Sequence, residues 1–150
     1  MIGFLNTAKK EECFGCEACV QVCTKGAIQM KDDELGFRYP NVNMDLCIHC
    51  GLCNKVCPAE NKGHGFDEKQ VAFGGYIKDG KIKEQSTSGG AFSAIVDAWC
   101  DENYVIFGAI ANGLKVRHVY TMDKNDLAKF RRSKYSQSII GTCYQDAKCF

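Results

Sequence analysis

Apolar and polar positions along the chain alternate in some stretches and recur at helical spacing in others. Ala27-Ile28-Gln29-Met30 and Gly36-Phe37-Arg38-Tyr39-Pro40-Asn41-Val42 flank the charged segment Lys31-Asp32-Asp33-Glu34. Two short extended runs around a polar turn predict a hairpin, with Phe37 and Tyr39 on one face. Further on, Tyr104 to Ala111 and Val116 to Thr121 predict two strands joined at Asn112-Gly113. Val116, His118 and Tyr120 would share a face there, which makes His118 a sheet-surface residue and not a catalyst. Val71 to Ile77 also reads as a strand, ending in the turn Lys78-Asp79-Gly80-Lys81, and Ile2 to Leu5 as a short edge strand. Phe92, Ile95, Val96 and Trp99 recur at helical spacing and predict a helix from near Gly90, N-capped by Ser88. Asp126 to Phe130 predicts a shorter helix capped by Asp123 or Asn125. Asn61 to Gln70 is polar and glycine-punctuated with no periodicity, so it predicts a linker in which His64 is simply solvated. Two modules result, residues 1–62 and residues 71–150.

The first module is dominated by a repeated cysteine ladder. Cys13, Cys16, Cys19 and Cys23 in CFGCEACVQVC, and Cys47, Cys50, Cys53 and Cys57 in CIHCGLCNKVC, both read C-x2-C-x2-C-x3-C. Three thiolates spaced by two residues wrap three corners of an iron–sulfur cube, and the fourth points toward a second cube. Cys13, Cys16, Cys19 and Cys57 are therefore expected to hold one [4Fe–4S] cluster, and Cys47, Cys50, Cys53 and Cys23 the other. The stretch resembles the bacterial two-cluster ferredoxins over roughly its first sixty residues. Pro58 follows the second ladder as it commonly does there, whereas Thr24 stands after Cys23, and the 23 residues from Thr24 to Leu46 make a long inter-ladder loop. His49, between two ligands, reads either as a donor to a cluster sulfur or as a solvent-facing side chain. With so few aliphatic residues the clusters would supply much of this module's core.

Composition narrows the alternatives. The chain is 45% hydrophobic and 25% charged with net charge +1, so no electrostatic footprint for nucleic acid or a membrane surface appears. No apolar run is long enough to span a bilayer. Eleven cysteines without an export signal at MIGFLNTAKK imply a reducing cytoplasm and argue against a disulfide framework. Structural zinc would use paired C-x2-C units and leave cysteines over. Cys100, Cys143 and Cys149 fit neither ladder and read as buried or free thiols.

In the second module, Ser86-Thr87-Ser88-Gly89-Gly90 feeds the N-terminus of the expected helix. Backbone N–H groups at such an end seat a phosphate, though serine and glycine also serve as plain turn and cap residues. Arg131-Arg132-Ser133-Lys134-Tyr135-Ser136-Gln137-Ser138 either grips an anion or an acidic partner surface, or is a solvated basic loop. Ser86-Thr87-Ser88-Gly89-Gly90-Ala91-Phe92-Ser93, the strand at Tyr104 to Ala109, Val116-Arg117-His118-Val119 and Ser133-Lys134-Tyr135-Ser136-Gln137-Ser138 together resemble the N-terminal part of the coenzyme F-420 hydrogenase/dehydrogenase beta-subunit family over about residues 71–142. That resemblance implies a flavoprotein that relays electrons between iron–sulfur clusters and a soluble acceptor, with Ser88, Gly89, Gly90 and Lys134 near a flavin phosphate, FAD as the cofactor and a redox protein as partner. The family continues beyond the point where this chain stops, inside what looks like a helix ending at Phe150, so the resemblance implies a truncated product that is an oxidoreductase only when completed. The expected fold class is α+β, a small two-cluster ferredoxin-like module followed by a partial α/β module of mixed strands and helices. The rival reading is a stand-alone ferredoxin-like carrier whose residues 71–150 form a docking domain.

Overall fold

A computed structural model of the chain describes residues 10–61, 63, 70–101 and 103–150. The edge strand expected at Ile2 to Leu5, His64 and most of the expected linker lie outside these residues. The helices are α1 (Ala18–Val22), α2 (Leu52–Lys55), α3 (Gly80–Glu84), α4 (Ala91–Trp99), α5 (Leu127–Phe130) and α6 (Cys143–Asp146). The strands are β1 (Ile28–Asp32), β2 (Arg38–Val42), β3 (Ile106–Asn112) and β4 (Lys115–Thr121). They form two separate two-stranded antiparallel sheets, so the fold is a mixed α+β one. Among the described residues no helix is long and apolar enough to cross a membrane.

The chain separates into two compact units, Met1–Gly65 with Ile139–Cys149, and Phe66–Ser138 with Phe150. Sequence reading grouped Ile139 to Cys149 with the second module. In the structure this segment packs in the first unit, because side chains of the first ladder accept its backbone N–H groups. Glu17 accepts from Ile140 at 3.3 Å and Gly141 at 3.2 Å, and Gln21 Oε1 accepts from Tyr144 at 3.0 Å and Gln145 at 3.3 Å.

In the first unit β1 pairs with β2 in the register Ile28↔Val42 to Asp32↔Arg38, as the alternation predicts. Asp33 closes the turn, its Oδ1 accepting from Leu35 N at 3.0 Å and Phe37 N at 2.9 Å. The hairpin sets Ile28, 4% exposed, against Cys53, and Cys19, Val20, Val22, Cys23, Val42 and Cys47 pack around them. Half of the residues in this core are cysteines, so the apolar contribution to its stability is small.

In the second unit β3 and β4 pair from Ile106↔Thr121 to Asn112↔Lys115. The turn residues are Gly113 and Leu114, one position later than expected, with Gly113 at φ 59°. The core joins Val96 of α4, Ile106 of β3 and Leu127 of α5. Three expectations fail here. Val71 to Ile77 is not a strand: Val71, Phe73 and Tyr76 are exposed, and an apolar run forms a ladder only beside a neighbouring edge. The predicted Asp-Gly turn starts α3 instead, because the Asp79 carboxylate accepts the Ile82 N–H at 3.0 Å as an N-cap. The helix expected near Gly90 forms as α4, with Gly90 and not Ser88 at its N-cap. Of its predicted apolar face Val96 is buried, while Ile95 and Trp99 are 53% and 82% exposed.

Candidate metal centres

Each ladder folds as a loop followed by one short helix. The first two cysteines lie on the loop, the third falls inside α1 (Cys19) or α2 (Cys53), and the fourth follows the helix. Left-handed residues turn the loop inward at two equivalent positions. These are Gly15 (φ 61°) and Glu17 (φ 59°) in the first ladder, His49 (φ 55°) and Gly51 (φ 74°) in the second. Glu17 and Gly51 are the N-caps of their helices, and neither makes a side-chain capping bond.

Two small cavities result. One is walled by Cys13, Cys16, Cys19, Cys53 and Cys57, together with Phe14, Glu17, Met30, Pro40 and Pro58 among others. The other is walled by Cys23, Cys47, Cys50 and Cys53, with Lys25, Ile28, Ile48 and His49 among its lining. Cys57 of the second ladder thus stands with the first three thiols of the first, Cys23 of the first stands with the second, and Cys53 lies on the wall between. Gly15 N–H donates to Cys13 Sγ at 3.4 Å and Ala27 N–H to Cys23 Sγ at 3.3 Å.

Cys13, Cys19 and Cys53 acquire raised proton affinities in these walls. Burial pushes Cys19 up to about 12, with repulsion from Cys16 and Cys13 adding to it. Burial also raises Cys13, opposed by the Gly15 N–H and reinforced by Cys16 and Cys57, and it raises Cys53, with Cys50 and Cys47 contributing. Several thiolates gathered around one cavity repel one another, and cationic metal among them offsets that repulsion. The donor type fits the four-iron cube, which takes cysteine thiolates from around a cavity wall, and cysteines line both cavities here.

Sequence reasoning missed Glu17, Gln21 and Arg38. Glu17 is only 6% exposed and its Oε1 receives Arg38 Nη1 of β2 at 2.9 Å. Its position was the available signal: the equivalent residue in the sister ladder is glycine. The Gln21 amide is fixed by the two N–H groups its oxygen accepts, which leaves Nε2 buried without an acceptor among the described residues. A third cavity is lined by Cys16, Val22, Val56, Tyr144 and Lys148 as well as Gln21.

The flavin-loop residues lie in the second unit. Gly89 packs so closely on residues 75–76 that a Cβ there would sit 2.6 Å from the Gly75 oxygen. Ser133 N–H donates to Thr87 Oγ1 at 3.1 Å and Arg131 Nε to Ser93 Oγ at 3.0 Å, so the two segments behind the family resemblance do meet. Lys134 Nζ donates to the carbonyls of Phe130 at 2.8 Å and Arg131 at 2.6 Å at the end of α5, and burial lowers its pKa. His118 Nδ1 lies 2.8 Å from Ser138 Oγ. Cys143 is buried, Cys100 half-buried and Cys149 exposed.

These thiol walls define an iron–sulfur module of the ferredoxin type. Residues 12–61 match the family model described as a 4Fe-4S dicluster domain. An uncharacterized polyferredoxin-like protein of Methanocaldococcus jannaschii is 33% identical over 61 residues, 35% of this chain and 36% of that protein. An uncharacterized ferredoxin of the same organism is 37% identical over 49 residues, 33% of this chain and 62% of its own length. Hydrogenase-4 component A of Escherichia coli K12 is 44% identical over 48 residues, 31% of this chain and 21% of that protein. The matched part thus spans between about a fifth and three fifths of these relatives. No solved structure matches the chain. The first module is an iron–sulfur, ferredoxin-like electron carrier.

Proposed function

We propose that the chain carries single electrons through two [4Fe–4S] clusters, one ligated by Cys13, Cys16, Cys19 and Cys57, the other by Cys23, Cys47, Cys50 and Cys53. The observation that carries this reading is the presence of a complete quartet around each of two cavities, with the fourth cysteine of each ladder exchanged. Iron–sulfur clusters supply one-electron chemistry, with potentials set by charge, sulfur hydrogen bonds and solvent exposure. The protein's own work follows from the geometry. Ile28 and the hairpin pack between the ladders and limit water there. The Gly15 and Ala27 N–H groups spread negative charge off Cys13 and Cys23. Electrons would pass to and from a redox partner protein, and the reading implies a reducing cytoplasm as the setting, where thiolates stay available to metal. Anaerobically prepared protein should be brown and contain about eight irons per chain. Zinc in place of iron, or a single cube, would refute the assignment.

A second reading concerns the later residues. The contact of Ser133 with Thr87 supports a shared site formed by the loop Ser88-Gly89-Gly90 and the basic segment, as in a flavin-dependent oxidoreductase of which this chain is the N-terminal part. A phosphate at Lys134 would have to displace the carbonyls its ammonium already holds. Ser88→Asp, at an exposed position of the same loop that already carries a side chain, should abolish flavin retention in an extended chain and leave iron intact. Unchanged flavin retention would return the loop to a helix-capping role. A chain whose flavin titration shows no binding would instead be a stand-alone carrier with residues 71–150 as a docking domain.

A further inference from the structure

The two cavities differ in the charge built into their walls. Glu17 lines the first, and it is 6% exposed in a backbone conformation that glycine adopts at the equivalent position, Gly51, of the sister ladder. A non-glycine residue in that region is strained, and an alternative without the strain stands in the same chain. What Glu17 adds is a fixed carboxylate. Its oxygens accept from Arg38 Nη1 at 2.9 Å, Ile140 N at 3.3 Å and Gly141 N at 3.2 Å. Arg38 is shared with Asp32 at 3.6 Å, and Glu17 lines the cavity whereas Arg38 does not. The second cavity has no carboxylate in its wall: the ionisable side chains there besides its thiols are Lys25 and His49, both exposed.

Adding an electron adds negative charge. A buried anion in the wall opposes that step, and it is weakly screened because water is excluded around it. An exposed cation favours it to a smaller degree. We propose that the two cluster sites are unequal, and that Glu17 makes the site of Cys13, Cys16, Cys19 and Cys57 the poorer acceptor, so that an electron entering the module comes to rest at the site of Cys23, Cys47, Cys50 and Cys53. Glu17 acts through its charge and ligates nothing. The inference rests on the cluster assignment above, and its test separates the two.

The test is a potentiometric titration of the full anaerobic holoprotein, followed by electron paramagnetic resonance, with iron content measured in every variant. The parent protein should be reduced in two waves. Glu17→Gln should raise the lower wave toward the upper, and Arg38→Gln should drive the same wave lower still. Lys25→Met should move the upper wave slightly down. Opposite shifts from Glu17→Gln and Arg38→Gln report charge, since loosened packing would move both variants the same way. Coincident waves in the parent, a lower wave unmoved in Glu17→Gln, or shifts of one sign in both variants would overturn the inference while leaving the clusters in place. If Glu17→Gln fails to retain iron, Arg38→Gln decides alone, and an unmoved lower wave there overturns it. A parent without about eight irons would sink the cluster assignment itself, and this inference with it.

Discussion

In the first ladder glycine occupies the residue before the second cysteine and glutamate the residue after it, whereas in the second ladder histidine comes before and glycine after. All four residues are left-handed, at Gly15, Glu17, His49 and Gly51. Identical cysteine spacing therefore imposes one backbone path on both loops, and each loop meets the requirement with one glycine and one strained residue. The strained residues differ in what surrounds them. His49 is exposed, while Glu17 is buried and holds Arg38 and the backbone of Ile140 and Gly141. A repeated motif can thus keep its metal geometry while its non-ligand positions diverge, one toward solvent and the other toward the interior.

The comparison breaks most severely if ligand exchange is wrong. Cys57→Ser should remove about four irons and extinguish the signal of the cluster otherwise held by Cys13, Cys16 and Cys19, and Cys23→Ser should do the same at the other site. Spectroscopy that resolves the clusters decides it, and loss in Cys57→Ser confined to the site of Cys47, Cys50 and Cys53 would show that each ladder serves its own cube. Next in size is Ile28→Ala, which empties the contact both ladders share. It should cost about 2–5 kcal/mol in denaturant unfolding of the holoprotein and speed iron release from both sites together. Release from one site alone would mean that the sites are independently supported.

Smaller effects sharpen the difference between the strained positions. Glu17→Gly relieves backbone strain but removes the acceptor of the Ile140 and Gly141 N–H groups and one of the partners of Arg38, so a net loss of about 1–3 kcal/mol is expected. His49→Gly relieves comparable strain and removes no buried partner, and it should be neutral or stabilise by less than about 1 kcal/mol. Gly51→Ala, at φ 74° in open space, should cost about 1 kcal/mol through backbone conformation alone. Thermal unfolding of the three variants ranks them, and equal responses of Glu17→Gly and His49→Gly would erase the distinction drawn between the loops.

Much of this was legible in the sequence for a local reason. Cysteine spacing dictates which thiols can wrap one cube, and short extended runs on either side of a polar or glycine-containing turn indicate the hairpins Ile28–Val42 and Ile106–Thr121, so both could be read from neighbours a few residues apart. Val71 to Ile77 misled the reading because a strand needs a partner edge that its own residues do not specify, and Asp79 because a carboxylate before glycine caps a helix as readily as it starts a turn. The placement of Ile139 to Cys149 in the first unit depends on hydrogen bonds to Glu17 and Gln21 spanning more than 120 residues. The same holds for the charge in the first cavity. The eight thiols and the loops that present them follow from spacing and backbone sterics, which are local properties of the chain. Tertiary structure alone decided which carboxylate is buried against them, since burial and ion pairing are settled by residues that meet only after the chain has folded.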